Sequence, residues 1–247
     1  MQLEKRKNHK PRIIIYGVPK IGKTTFATNG PCPIVTKTED GASGINVDQM
    51  PLCESWYDVL AQAKSVAEED HKYETYVIDV LNGVELLCAK SVATDDDWAA
   101  GFGGFQAYRK VATAINTELL PLLDKCRNRG MYVVLIAHSG IHSVKTAAEE
   151  YSKFAPSVSK WVWEVFNGWA DMIGRADYRY IVGSVKNGKG KASVEVDNTG
   201  KPLRKIWFSG SPARDCGTLG TRRTQPPNPP QSLPTWRKEA QHHSERQ

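Results

Sequence analysis

The sequence predicts an α/β fold built on a mostly parallel, twisted sheet with a β-rich C-terminal part. Three observations carry this. Short β-branched runs alternate with runs of helical period from Arg12 to about residue 170. A glycine-rich turn, Gly17 to Gly22, joins the first strand to the first helix. After about residue 171 the helical period gives way to short extended runs and to hairpin signals at Asn187-Gly188 and Asn198-Thr199-Gly200.

The elements follow in order. Arg12–Tyr16 is the first strand, and Gly22–Asn29 starts a helix. Pro33–Lys37 is a second extended run. Ser55 opens a helix whose capping box is completed by Asp58 and whose apolar face is Val59, Leu60, Ala63, Val66 and Ala67. Thr75–Val80 is a strand. Phe105, Tyr108, Ala112, Ile115, Leu119, Leu122 and Cys126 step by three and four along one amphipathic helix, and Pro121 predicts a kink in it. Met131–His138 is the most apolar strand; its run Met131–Ala137 is far too short to span a membrane. Trp161, Trp163, Val165, Phe166 and Trp169 form the apolar face of a later helix.

Composition sets the organisation. A chain of 247 residues, 40% hydrophobic and 24% charged, is an ordinary globular protein with room for one large domain. We expect a basic arm over 1–11, one domain over 12–220, and a flexible tail over 221–247 that carries five prolines between Pro226 and Pro234. Five scattered cysteines without CxxC spacing predict reduced thiols. No apolar stretch follows the basic N-terminus, so a cytoplasmic location without membrane association is expected. The net charge of +6 is misleading as a nucleic-acid signal. Five basic residues face one acid within 1–12, and five face two within 221–247, which leaves −1 on the rest.

Gly17-Val18-Pro19-Lys20-Ile21-Gly22-Lys23-Thr24 fits G-x-x-x-x-G-K-[ST] between a strand and a helix. Such a turn directs backbone N–H groups, from Gly17 through Thr25, at a phosphate chain. Lys23 is placed for the β- and γ-phosphates of ATP, and the Thr24 hydroxyl for Mg²⁺. Asp79 closes the apolar strand Tyr76-Val77-Ile78 and is the candidate metal carboxylate. It is followed by Val80, so no Asp-Glu pair is available to activate water. Glu39, at the end of the strand after the P-loop helix, is the candidate base, with Asp40 behind it.

Together with Thr38-Glu39-Asp40-Gly41-Ala42 and the strand ending Ala137-His138, these motifs resemble the RecA-like ATPases, in particular the short phage-encoded RecA/Rad-type recombinases of the single-strand annealing group. The resemblance covers roughly residues 12–217. It implies a RecA-like P-loop NTPase core, ATP with Mg²⁺ and DNA-dependent hydrolysis in the bacterial host cytoplasm. Single-stranded DNA is the implied partner, with assembly into a homo-oligomeric ring or filament and a single-strand-binding protein as a further partner. Glu39 then matches the family's water-activating glutamate, and His138 stands where these proteins carry a polar γ-phosphate sensor, commonly Gln.

Residues 139–160 have the composition of a mobile loop in which Lys145, Lys153 and Lys160 interleave with Tyr151 and Phe154, as single-strand binding requires. In RecA-like proteins the loop after this strand meets DNA. The glycine-rich stretch 98–105 matches the family's other DNA-facing loop, but Asp95-Asp96-Asp97 before it would repel phosphate. Lys186, with Lys189 displaced by one residue, matches lysines that RecA-like filaments insert into a neighbour's ATP site. Two rivals share these motifs: a ring helicase or DNA-partner loader, and a nucleotide-gated interaction module with little turnover.

Overall fold

The computed structural model describes residues 9–40, 44–100, 104–145, 149–182, 192–211 and 213–218. The elements are β1 (Arg12–Gly17), α1 (Lys23–Thr28), β2 (Pro33–Lys37), β3 (Asp48–Leu52), α2 (Trp56–Glu68), β4 (Thr75–Asp79), α3 (Leu81–Val92), α4 (Asp95–Ala99) and α5 (Phe105–Ala114). A π-helical turn (Ile115–Leu119) leads into α6 (Leu120–Asn128), β5 (Tyr132–Lys145), β6 (Glu150–Pro156) and α7 (Lys160–Trp169). The β-rich end holds β7 (Met172–Tyr178), β8 (Tyr180–Val182), β9 (Ala192–Val194), β10 (Arg204–Trp207) and β11 (Gly217–Thr218).

The main sheet has the order β10-β7-β1-β5-β4-β2-β3. From β7 to β3 the strands are parallel; β10 and β11 pair antiparallel with β7. The predicted α/β class, with a mostly parallel sheet and a β-rich end, is what forms. The strand sequences explain it, because each central strand is apolar on both faces. Ile14, Tyr16, Tyr76, Ile78, Val133 and Leu135 face the larger core with α2, α3, α5, α6 and α7. Ile13, Ile15, Val77, Val134 and Ile136 face the smaller core with Ile21 and Ala27 on the α1 side. Register then aligns the carboxyl ends: Gly17 opposes His138, and Asp79 opposes Ile136 and Lys37. β5 therefore separates the P-loop strand from the Asp79 strand.

The α2 capping box forms as predicted, with the Asp58 N–H donating to Ser55 Oγ and the Ser55 N–H to Asp58 Oδ2. The apolar face expected after residue 160 is α7, which buries Trp163, Phe166 and Trp169. The turn at 197–201 is also in place: the Gly200 N–H donates to the Asp197 carbonyl, and Val196 bridges Pro202.

Three features depart from the sequence reading. β3 is unannounced in Asp48-Gln49-Met50-Pro51-Leu52, because an outer strand needs no apolar run and tolerates proline. The long helix is interrupted by a π-helical turn just before Pro121, which occupies the first turn of α6, where its missing N–H costs nothing. Most important, 139–145 and 150–156 are paired strands rather than a loop. β5 continues past His138 and pairs with β6 from Ser139↔Pro156 to Lys145↔Glu150. Its Ser, His, Lys and Glu residues have a loop-like composition, and its burial is concentrated at the root, in Ala155 and Pro156. The hairpin signal at 187–188, Lys186, Lys189 and the tail 221–247 lie outside the described residues. Among the described residues no helix is long and apolar enough to cross a membrane.

Candidate nucleotide site

β1 delivers the chain to Gly17 close against β7: a Cβ there would lie 2.4 Å from the Ala176 carbonyl oxygen. The turn passes through Lys20 (φ 62°) and Gly22 (φ 99°), both left-handed, and enters α1 at Lys23. Val18, Pro19 and Lys20 are exposed, as is Thr25, whereas Ile21 is a core side chain of the α1 side. Of the predicted phosphate loop, then, Ile21 has its side chain in the core and leaves only its backbone to a ligand.

Lys23 is only 6% exposed. Its Nζ donates to the Gly17 carbonyl at 3.0 Å and the Val18 carbonyl at 2.9 Å. Burial pulls its pKa down, and Asp79 and Glu39 act in the opposite direction. Thr24 Oγ1 donates to Asp79 Oδ2 at 2.7 Å. Burial raises the Asp79 carboxyl above the usual carboxylate range, against the Thr24 bond and the Lys23 charge.

Glu39 is brought to this group by a clamp between β2 and β4. The Thr38 N–H donates to the Asp79 carbonyl at 2.9 Å. The Thr38 hydroxyl donates to the Val80 carbonyl at 2.7 Å and accepts from the Val80 N–H at 2.9 Å. Gly83 leaves the room, since a Cβ there would lie 2.3 Å from Thr38 Oγ1. His138 Nε2 and Glu39 Oε2 are 3.1 Å apart. A carboxylate only accepts, so Nε2 carries the proton, leaving Nδ1 buried and without a hydrogen-bond partner among the described residues. The His138 N–H donates to Asn82 Oδ1 at 2.9 Å, and Asn82 Nδ2 donates to the Ser157 carbonyl. The Ser157 N–H returns to the His138 carbonyl at 2.8 Å. Asn82 on α3 thus holds the root of the β5–β6 ribbon.

The predicted site residues Lys23, Thr24, Glu39, Asp79 and His138 are brought together at the carboxyl ends of β1, β2, β4 and β5. The five candidate DNA residues do not form one surface. Cross-strand register puts Tyr151 and Lys153 on one face of the ribbon with His142, and Phe154 on the other with Ile141. Lys153 pairs with Asp215 at 2.8 Å, and Phe154 lies under Arg175 with the guanidinium carbon 3.6 Å from the ring centre. Lys160 begins α7, 3.9 Å from Glu164. Lys145 opposes Glu150 at the far end of the ribbon.

Thr38, Asn82 and Arg204 were missed from sequence. Arg204, on β10, brings Nη1 to within 3.0 Å of where a Cβ on Gly22 would stand. Asn82 carried a faint signal as a polar residue one turn past Asp79; Arg204 carried none, since its neighbour is 182 positions away.

The donor set fits a magnesium nucleotide. A hydroxyl and a carboxylate side by side are the hard oxygens Mg²⁺ prefers, and a buried ammonium resting on loop carbonyls is available to phosphate. Residues 9–206 match the family model described as an AAA domain, and the chain belongs to that family, with a P-loop NTPase core. No curated protein matches the chain. Two solved structures are loosely similar. The RadB recombinase shares 15% identity at a TM-score of 0.41, covering 80% of this chain and 87% of its own. A KaiC-like protein from the archaeon Pyrococcus horikoshii OT3 shares 17% identity at 0.41, covering 74% and 76%.

Proposed function

We propose that this chain is a RecA-like, DNA-dependent ATPase that binds single-stranded DNA and promotes annealing or strand exchange in phage recombination, in the cytoplasm of the bacterial host. One observation carries the reading: hydrogen bonds, joined across the Thr38–Glu39 peptide link, run from Thr24–Asp79 through the Thr38 clamp to Glu39, His138 and the root of the β5–β6 ribbon. Residues 17–25 hold the phosphates of ATP, and Lys23 leaves its two carbonyls for the β- and γ-phosphates. Thr24 and Asp79 hold Mg²⁺, which supplies charge neutralisation at the phosphate oxygens. Glu39 orients a water and accepts its proton.

His138, hydrogen-bonded to Glu39, ties the state of that carboxylate to the ribbon. Tyr151 and Lys153, on one face of the ribbon, supply a ring and a cation for single strands, and Lys145, Phe154 and Lys160, which lie off that face, extend the contact along the strand. Lys186 from a neighbouring subunit completes the site in trans, which makes a homo-oligomeric ring or filament the active form; a single-strand-binding protein is the expected companion. ATP turnover with and without single-stranded DNA tests the reading. Stimulated turnover with annealing supports it. Tight ATP binding without stimulation identifies an interaction module instead, and directional strand displacement a helicase.

A further inference from the structure

We infer that Arg204 is a second cationic ligand of the nucleotide, acting within the same subunit at the α/β-phosphate end of the P-loop. The inference rests on the nucleotide-binding reading above and deepens it.

β10 runs antiparallel to β7, with Arg204 opposite Tyr178 and Ile206 opposite Ala176. Alternation places Arg204, Ile206 and Phe208 on one face. Ile206 and Phe208 pack into the α1-side core with Ile13, Ile15 and Ile21. Gly174 makes the room: a Cβ there would lie 2.7 Å from Phe208 and 2.8 Å from Ile206. The strand is therefore seated firmly enough to aim its first residue at α1. There the guanidinium of the exposed Arg204 lies beside Gly22, where the φ of 99° is what demands glycine.

Charge points to a ligand. Two other arginines of this sheet edge are matched, Arg175 with Asp177 and Arg179 with Glu195, each at 2.6 Å, while Arg214 donates to the Ser209 carbonyl and lies on Trp207. Arg204 has no carboxylate within ion-pair distance among the described residues. An unmatched guanidinium beside a loop of converging N–H groups is cation against positive dipoles, an arrangement that an anion between them makes favourable. A guanidinium fork suits phosphate oxygens. The position selects which phosphates. The loop backbone cradles the α- and β-phosphates while the lysine reaches β and γ, and Gly22 belongs to the cradle. ADP and ATP share those phosphates, so Arg204 stabilises both equally, in the ground state as in the transition state.

The test uses the full chain with Arg204→Ala, Arg204→Gln and Arg204→Lys, titrated with fluorescent N-methylanthraniloyl ADP and ATP, alongside steady-state turnover and thermal midpoints without nucleotide. Arg204→Ala and Arg204→Gln should weaken ADP and ATP alike by about tenfold, raise KM and leave kcat in place, with Arg204→Lys intermediate. Unchanged affinity overturns the inference. So does a loss confined to ATP or to kcat, which would put the group on the γ-phosphate, or a lowered midpoint with affinity of the folded protein intact. If the unmodified chain binds neither nucleotide, the P-loop reading itself fails; if it binds both and Arg204→Ala binds them equally well, only this inference does.

Discussion

Lys23 is buried, yet its ammonium rests on two carbonyl oxygens rather than on a carboxylate. Burial works against its charge, and Asp79 and Glu39 nearby act in the opposite direction. Such a group belongs to a ligand more than to the fold. Lys23→Ala should therefore remove ATP hydrolysis almost completely while cooperative unfolding persists; wild-type turnover in the variant ends the P-loop assignment. Glu39 is exposed, and its one described hydrogen bond is to His138. Glu39→Gln keeps shape and loses basicity, so ATP should still bind while turnover drops by about 10²–10⁴-fold. Failure to bind ATP would make Glu39 structural, and unchanged turnover would move the base to Asp40. Lys23, Thr24 and Asp79 were legible in the sequence because a short motif and one strand end set their chemistry. Thr38 and Asn82 were not, because their partners, Val80 for one and His138 with Ser157 for the other, are brought in by tertiary packing from 42 to 75 positions away.

Elements with a local signal were the legible ones. The Ser55/Asp58 box and the Trp-rich face of α7 are written in three- and four-residue spacings, and both form. The β5–β6 ribbon is held by pairing between residues up to 17 apart, Ser139 and Pro156, with few apolar positions to reveal it. Composition alone therefore suggested a loop. The short α4 repeats the capping logic with a tertiary tie added: the Thr94 N–H donates to Asp97, and Lys110 of α5 pairs with the same carboxylate at 2.7 Å. The Lys110 bond first, then the Thr94 bonds, lower the Asp97 pKa to about 2. A folded-state pKa below the unfolded value stabilises the fold above the unfolded pKa, about 4. That contribution is lost as pH falls through about 2. Asp97→Asn should lower the thermal midpoint at neutral pH, and the gap to the unmodified chain should close as the pH drops from about 4 toward 2. A gap of constant size across that window would assign the loss to altered packing rather than to the charge.

At the scale of the molecule, the sheet order gathers four strand ends along one edge, while charge is distributed on a different plan. The +6 of the chain resides in its terminal segments, but the N-terminal share is partly committed to the fold. Arg12 is held by Asp171 at 3.0 Å and Asp124 at 3.2 Å, and Lys10 donates to the Tyr132 hydroxyl. Sequence arithmetic counted both in the basic segment 1–12; the partners that engage them lie 112 to 159 positions away and could not be read locally. That leaves residues 221–247, with five basic residues and two acids, as the larger reserve for phosphate contact. Contacts of this kind follow counterion release: each phosphate neutralised on a single strand contributes about −0.7 to the slope of log affinity against log salt. A chain ending at residue 220 should bind single-stranded DNA more weakly and with a flatter salt slope, while the difference between its ATP-bound and ATP-free affinities stays, because the ribbon and the Glu39–His138 contact are untouched. Titrations of a fluorescent oligonucleotide at several salt concentrations, with and without ATP, separate the two contributions. An unchanged slope would place the phosphate contacts on the folded body, and loss of the ATP dependence would show that nucleotide gating runs through the tail instead of the ribbon.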